Sequence, residues 1–238
     1  NNAKVEAVRD ALAALNKKFA ANGGEGLVFL ADRSSSPSRA RLQAAIAEKM
    51  PKSKWFVYEP VDFASASTAY SLAFGAETTP LVNLSAAKRI LSLDCDFIGT
   101  ELDSRRLITG FTAGRKPGDD MNRLYVVESL MTLTGGQADH RLRVRPTDTV
   151  RVAALVASKL GITGELGVAL SNLAKGAEAH DAWATECAKD LLEKKAESVV
   201  LAGHAQSLAV HLIAAAMNQA LGSVGKTVTL LKNPEPAA

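Results

Sequence analysis

Short runs of apolar residues alternate along the chain with longer segments in which apolar residues recur every three or four positions. The short runs predict β-strands, and the spaced segments predict amphipathic helices. The predicted strands are 26–31, 54–58, 89–93, 124–127, 141–144, 198–202 and 227–231. The predicted helices are 3–22, 37–50, 65–74, 103–114, 150–160, 181–195 and 207–221, with one or two short helices in the glycine-punctuated segment 163–179.

Most of the predicted strands contain a continuous apolar run, which is typical of strands buried on both faces. Alternation of such strands with helices predicts an α/β fold, with a doubly wound, mostly parallel sheet flanked by helices in a Rossmann-like three-layer sandwich. Ser36 and Pro37 predict an N-cap and a first-turn proline for one helix, and Pro51 ends it. Residues 1–238 are expected to form one domain, with a soft division near residues 145–161 as the alternative.

Composition narrows the classes of partner. The chain has 238 residues, 47% of them hydrophobic, and a net charge of +3 with acids and bases interspersed, so nucleic acid is not an expected partner. Cys95 and Cys187 belong to no cysteine or histidine cluster, so we expect neither a metal site nor a disulfide framework. No apolar run approaches the roughly 20 residues that span a bilayer, so we expect a soluble fragment without direct membrane insertion. Both ends, Asn1 and residues 234–238, are consistent with excision from a longer protein.

Polar candidates for a ligand site follow four of the predicted strands. In open α/β sheets, ligands bind beyond the carboxyl ends of the strands, where helix N-termini favour anionic groups. The candidate binding residues are Asp94, Cys95 and Asp96 after the first of these strands, Glu128 after the second, Arg145 and Asp148 after the third, and Gly203, His204, Gln206 and Asn218 after the fourth.

Each of the first three groups also has an ordinary structural interpretation. Asp94 and Asp96 would repel a phosphate and raise the pKa of the Cys95 thiol, and they equally suit a capping role beside a half-buried cysteine. Glu128 could accept bonds from a ribose diol or be a solvated loop acid. Arg145 could hold a phosphate, whereas its neighbours Pro146 to Asp148 simply end a strand and cap a helix.

The fourth group lies in the stretch VVLAGHAQSLAVH, where Gly203 permits a tight turn between a strand and a helix. His204, His211 and Asn218 recur at seven-residue spacing and therefore share one flank, which could approach a ligand or be solvated. No dinucleotide-binding glycine motif, phosphate loop, nucleophile elbow or zinc-protease motif occurs, so we assign no catalytic residue.

Four segments of the chain resemble, in order, the central α/β region of the molybdopterin oxidoreductases. They are RILSLDCDFIGTE, LYVVESLMTLTGGQADHRLRVRPTD, DAWATECAKDLL and VVLAGHAQSLAVHLIAAAMNQALGSVGKTV. Within this family, the chain is most similar to a divergent branch, the large iron–sulfur subunit of alternative complex III, a bacterial quinol-oxidising membrane complex. Three segments carry this similarity: ILSLDCDFIGTE, MNRLYVVES and ADHRLRVRP. The likeness covers nearly all of the chain, as part of a longer protein.

The chain departs from the family at the positions that matter for a cofactor. The Gly-x-Asn-Pro loop of the family is replaced by Asp94 to Asp96. The segment that supplies or adjoins the metal ligand in the family falls at residues 58–69, which contain no cysteine or histidine. The turn at residues 145–148 lacks the glycine that the family has there. The resemblance therefore implies a scaffold domain with no cofactor of its own and no activity in isolation.

The resemblance also implies what surrounds the domain. It places 4Fe–4S clusters and the redox chemistry in the rest of the parent protein, whose partners are its other domains and the subunits of a respiratory complex. The parent is expected to be exported and membrane-associated on the periplasmic side. In the alternative, the domain binds molybdopterin guanine dinucleotide as part of a molybdenum oxidoreductase, with Glu128 at the ribose and with Arg145 and the turn at residues 203–206 at the phosphates. A free-standing nucleotide-binding module is a third class, but it lacks a phosphate loop.

Overall fold

The computed structural model describes residues 4–34, 36–61, 63–75, 78–118 and 120–232. The chain divides into two compact units, residues 1–61 with 234–238, and residues 62–233. The segment 145–161, where the sequence suggested a soft division, lies inside the second unit.

The first unit contains a β-α-β arrangement preceded by a helix. The side chain of Ser36 accepts a hydrogen bond from the backbone N–H of Arg39, and Pro37 occupies the first turn of the following helix, which confirms the predicted helix start. The two strands of this unit pair in parallel. Its elements are α1 (Val5–Ala20), β1 (Val28–Ala31), α2 (Pro37–Lys49) and β2 (Lys54–Val57).

The second unit is built around a parallel sheet. Its elements in chain order are α3 (Ser65–Phe74), β3 (Thr78–Val82), β4 (Arg89–Leu93), α4 (Ser104–Ala113), β5 (Arg123–Glu128), β6 (His140–Arg143), α5 (Thr149–Lys159), α6 (Gly164–Leu173), α7 (Asp181–Lys194), β7 (Ser198–Ala202), α8 (Leu208–Leu221) and β8 (Val228–Lys232). In the described residues, four strands form the parallel sheet in the order β6-β5-β4-β7.

Both faces of this sheet are buried against helices. Leu91 and Leu93 of β4 belong to a core shared with α5, α6, α7 and α8. Ile90, between them in sequence, belongs to a second core that includes residues of α3, α4 and β8. Because successive side chains of a strand point to opposite faces, two apolar layers on two faces require the continuous apolar pattern seen in the sequence. The predicted α/β fold with a parallel sheet between helix layers is thereby confirmed.

Three elements differ from the sequence-based prediction. The last strand, β8, pairs antiparallel with β3 in a separate two-stranded sheet and does not extend the parallel one. β3 was not predicted, because it contains Pro80 and has no continuous apolar run. Within sheets, proline occurs mainly on edge strands, and β3 has a single pairing partner, β8. Helix α5 begins at Thr149, and the carboxylate of Asp148 accepts from Arg151, 2.8 Å away, with no side-chain cap bond at the helix start.

Candidate functional site

The strand order of the parallel sheet defines where a ligand crevice would lie. Chain order runs outward from β4 to β5 and β6 on one side, whereas β7 lies on the other side of β4. The topological switch point, the usual ligand position of such sheets, is therefore at the carboxyl ends of β4 and β7. Asp94 and Gly203, two of the predicted site residues, immediately follow these two strands.

The backbones after β4 and β7 are in direct contact at this switch point. The N–H of Gly203 donates to the carbonyl of Leu93 at 3.0 Å. A Cβ atom on Gly203 would lie 1.9 Å from the carbonyl oxygen of Asp94 and 3.1 Å from the Cα of Cys95, so no side chain fits. The glycine is thus required by the chain's own backbone, which fills the place where a ligand would approach it.

A hydrogen bond between side chains closes the same contact. The amide Nε2 of Gln206 donates to the carboxylate Oδ2 of Asp94 at 2.6 Å, and Asp94 itself has a left-handed backbone with φ 53°. Burial raises the pKa of Asp94; the Gln206 bond opposes this, and the carboxylates of Glu128 and Asp96 reinforce it. The switch point is therefore bridged by an acid in surroundings that disfavour further negative charge.

Cys95 is held inside the loop that follows β4. The hydroxyl of Ser92 donates to the carbonyl of Cys95 at 2.9 Å and accepts from its N–H at 3.1 Å. The thiol is buried; burial first, and then the charges of Glu101, Asp96 and Asp94, raise its pKa well above the ordinary value. This direction agrees with the expectation from the sequence, but burial is the main cause; a thiol with a raised pKa is a poor nucleophile.

Asp96 joins the loop after β4 to the loop after β5. Its Oδ1 accepts from the backbone N–H of Thr134 at 3.0 Å and from the Thr134 hydroxyl at 2.8 Å. The same Thr134 oxygen accepts from the N–H of Ile98 at 3.0 Å. Thr134 is fully buried, so this pair of bonds fixes the two loops against each other away from water.

Glu128 is enclosed by its own loop and by β6. Only 1% of the residue is exposed. Its Oε2 accepts from the hydroxyl of Thr132 at 2.7 Å and from the Thr132 N–H at 3.3 Å, and its Oε1 accepts from Nε of Arg141 at 2.5 Å. A Cβ on Gly135 would lie 1.8 Å from Oε1, so the backbone there presses on the carboxylate. A ribose could reach Glu128 only by displacing these groups.

His204, the residue after the glycine, is bound by Glu101. The Oε1 of Glu101 accepts from the backbone N–H of His204 at 3.1 Å and lies 3.0 Å from its ring Nδ1. The ring of Phe63 stacks on the imidazole with centroids 4.3 Å apart. Glu101 was not among the predicted residues, because nothing in its local sequence distinguishes it from any loop acid.

The remaining predicted residues lie apart from this cluster. Arg145 is exposed in the turn after β6, and Asp148 follows it in the same turn. The amide of Asn218 is buried against the middle of β7, where it bonds both backbone groups of Val200, and it also donates to the hydroxyl of Tyr70. The flank shared by His204, His211 and Asn218 therefore packs against β7 at Asn218.

These contacts test whether a pterin dinucleotide suits the residues present. Its phosphates would need open backbone N–H donors and an uncovered glycine, whereas the N–H groups of Thr134 and His204 are bonded to carboxylates and Gly203 is covered by backbone. At these positions the residues do not fit that group. In the described part of the chain, no cluster of three or more histidine, cysteine, aspartate or glutamate side chains could hold a metal ion.

Among the described residues, no helix is both long and apolar enough to cross a membrane. No protein-family model and no curated protein matches the sequence.

Proposed function

We propose that this chain is a scaffold domain without its own cofactor, in a molybdopterin-oxidoreductase-like iron–sulfur subunit of a respiratory, quinol-oxidising electron-transfer complex. One observation supports the scaffold role: at the carboxyl ends of the parallel strands, which we call the carboxyl edge, the chain's own acidic side chains occupy backbone N–H donors. The ordered family-like segments in the sequence support the assignment to such a subunit.

The physical reason is competition for the same donors. The N–H groups of Thr132, Thr134 and His204 would suit phosphate oxygens, and each is already bonded to a carboxylate of the chain. A phosphate that took one of these donors would leave a buried carboxylate (Glu128) or a half-buried one (Asp96 or Glu101) without its partner. This costs roughly 1–3 kcal/mol for a buried group, and more where the charge stays buried. Like charges at the edge add a further repulsion.

The rest of the proposal concerns the parent protein. Its 4Fe–4S clusters carry the electrons, and this domain contacts the other domains of the parent and further subunits of the complex. The parent is exported and lies on the periplasmic side of a membrane. These points are supported by the resemblance alone.

Binding of guanosine diphosphate, measured by isothermal titration calorimetry, tests the role of the acids. The double variant Asp94→Gly with Asp96→Asn should acquire measurable affinity, because it removes two charges and suits the left-handed backbone at position 94. The control variant Asp120→Asn with Glu193→Gln loses the same charge at exposed positions and should bind no better than the unmodified chain. Tight binding by the unmodified chain would instead support a nucleotide-binding domain, and no gain in the double variant would refute the repulsion.

Metal and pterin content of the full-length parent tests the assignment itself. We expect iron without molybdenum, tungsten or pterin. Stoichiometric molybdenum or tungsten with pterin would mean that the domain holds a cofactor, and a parent without iron would remove the link to an iron–sulfur subunit.

A further inference from the structure

The two outer strands of the parallel sheet, β7 and β6, differ in whether other groups hydrogen-bond to their free backbone side. At the β7 edge, the side-chain amide of Asn218 accepts from the N–H of Val200 at 2.9 Å and donates to its carbonyl at 2.8 Å. The carbonyl of Ser198 accepts from the hydroxyls of Ser223 and Thr227, both at 2.8 Å. Side chains therefore stand where a further strand would pair, and this edge is closed.

The opposite edge is formed by β6. β6 pairs with β5 along one side only. In the described part of the chain, no loop or side-chain hydrogen bond reaches the backbone of residues 140–143 on the other side. A row of unpaired N–H and C=O groups on an edge strand is a template for an added strand.

Arginines line one side of this open edge. Arg141, Arg143 and Arg145 occupy alternate positions, and the backbone remains extended at Arg145, with φ −68° and ψ 148°. Alternate side chains of a strand point to the same face and lie about 7 Å apart. Those of a strand paired with β6 would have the same spacing. Arg141 is bonded to Glu128, whereas Arg143 and Arg145 are exposed and have no acidic partner among the described residues.

Exposed apolar side chains occur in the connection that leads into β6. Leu130, Met131 and Leu133, in the connection from β5 to β6, are 77%, 72% and 64% exposed. Thr132, in the middle of this connection, bonds Glu128, and Glu128 in turn bonds Arg141. The connection that carries the apolar residues is thus tied to both β5 and β6. We call Leu130, Met131, Leu133, Arg143 and Arg145 together with the free edge of β6 the β6 surface.

We propose that the β6 surface binds an extended, acidic segment of another polypeptide, which adds to β6 as a strand. Its carboxylates would meet Arg143 and Arg145, and its apolar side chains would cover Leu130, Met131 and Leu133. A second copy of β6 is the wrong partner, because it would place arginines opposite arginines. An anionic lipid surface would match the charge and the apolar groups but could not pair with the strand backbone. The proposal goes beyond the scaffold function and does not depend on it.

Binding of a fluorescein-labelled peptide of alternating glutamate and valine, measured by fluorescence anisotropy, tests the proposal. The unmodified chain should bind it, and Arg143→Glu with Arg145→Glu should weaken binding about tenfold or more. The control variant Lys189→Glu with Lys195→Glu changes the charge equally. Lys189 lies beside Arg123 at the start of β5, at the amino-terminal end of the strands, whereas Arg143 is the last residue of β6 and Arg145 follows it. This variant should bind within about twofold of the unmodified chain.

A second peptide separates strand addition from simple charge attraction. The same sequence with alternate backbone nitrogens methylated keeps its charge but cannot donate to a strand edge, and it should bind about tenfold more weakly or not at all. Equal binding of the two peptides would overturn the proposal, as would no binding of the unmethylated one. The proposal would also be overturned if the unmodified chain bound phosphatidylserine–phosphatidylcholine vesicles tightly but did not bind the peptide. Circular dichroism of both charge variants verifies that they are folded.

Discussion

Replacement of Gly203 by alanine should destabilise the second unit through one steric contact. The glycine has no left-handed backbone, so alanine is acceptable there in conformation. The added Cβ, however, would lie 1.9 Å from the carbonyl oxygen of Asp94, whereas contacts under 3.0 Å essentially do not occur for real Cβ atoms. The loops after β4 and β7 must therefore separate by about 1 Å, the difference between these two distances.

The magnitude follows from what that separation disrupts. Forcing one extra carbon into a closely packed site costs about 1–3 kcal/mol. The bond from the N–H of Gly203 to the carbonyl of Leu93, now 3.0 Å, would be stretched or broken, at a net cost of roughly 1 kcal/mol. We therefore expect the free energy of unfolding to fall by about 2–4 kcal/mol, because both atoms that would have to move belong to the backbone.

Urea unfolding at neutral pH, followed by circular dichroism, measures this loss. With a denaturant slope of about 2 kcal/mol/M, the midpoint should fall by roughly 1–2 M. Gly136→Ala is the matched control, since nothing lies within 4 Å of its Cβ position, and its stability should change by no more than about 0.5 kcal/mol. If the two variants unfold at the same urea concentration, the backbones after β4 and β7 are not in contact, and the space over Gly203 is open to a ligand.

Two further predictions concern buried polar groups of α8. Asn218→Ala removes a fully buried amide that bonds both backbone groups of Val200, and the loss of these bonds should lower the free energy of unfolding by about 2–4 kcal/mol in thermal or urea unfolding; an unchanged melting temperature would contradict this. Burial lowers the pKa of His211, so the unfolded chain binds a proton more readily than the folded one: the stability that His211 contributes is complete above about pH 6.5 and declines as the pH falls towards the lowered value. Urea unfolding between pH 7.5 and 5.5 should show a shallower decline in His211→Gln than in the unmodified chain, and parallel declines would show that other groups are responsible.

The parallel sheet could be predicted because its strands carry their own signal. β4, β5 and β7 are buried at nearly every position and each contains a short run of adjacent apolar residues, the pattern expected of a strand buried on both faces. β3 carries no such signal, since Thr78, Thr79 and Pro80 are typical of turns as much as of strands. Its pairing with β8 joins residues about 150 positions apart, which no local pattern reports.

The candidate site was partly predictable for a similar reason. Parallel strands bring their carboxyl ends to one edge, so Asp94, Glu128 and Gly203 were expected together and lie together. The bonds that decide the chemistry of this edge depend on loop-to-loop register. Gln206 and Asp94 are separated by 112 positions, and His204 and Glu101 by 103, so residue type alone could not show that an acid meets each donor.

The acids at the carboxyl edge have a physical consequence for where recognition can take place. In a domain that relies on a bound anion to satisfy these donors, loss of the anion would leave N–H groups unpaired and loosen the loops after β4, β5 and β7. Here Asp96 and Glu101 supply the negative charge internally, and the loops are fixed without any ligand. These contacts leave fewer free donors for an anion at the switch point, whereas Arg143 and Arg145 of the β6 surface are exposed. The unmodified chain should accordingly bind the acidic peptide at β6 while it ignores guanosine diphosphate, and the reverse pattern would refute both proposals at once.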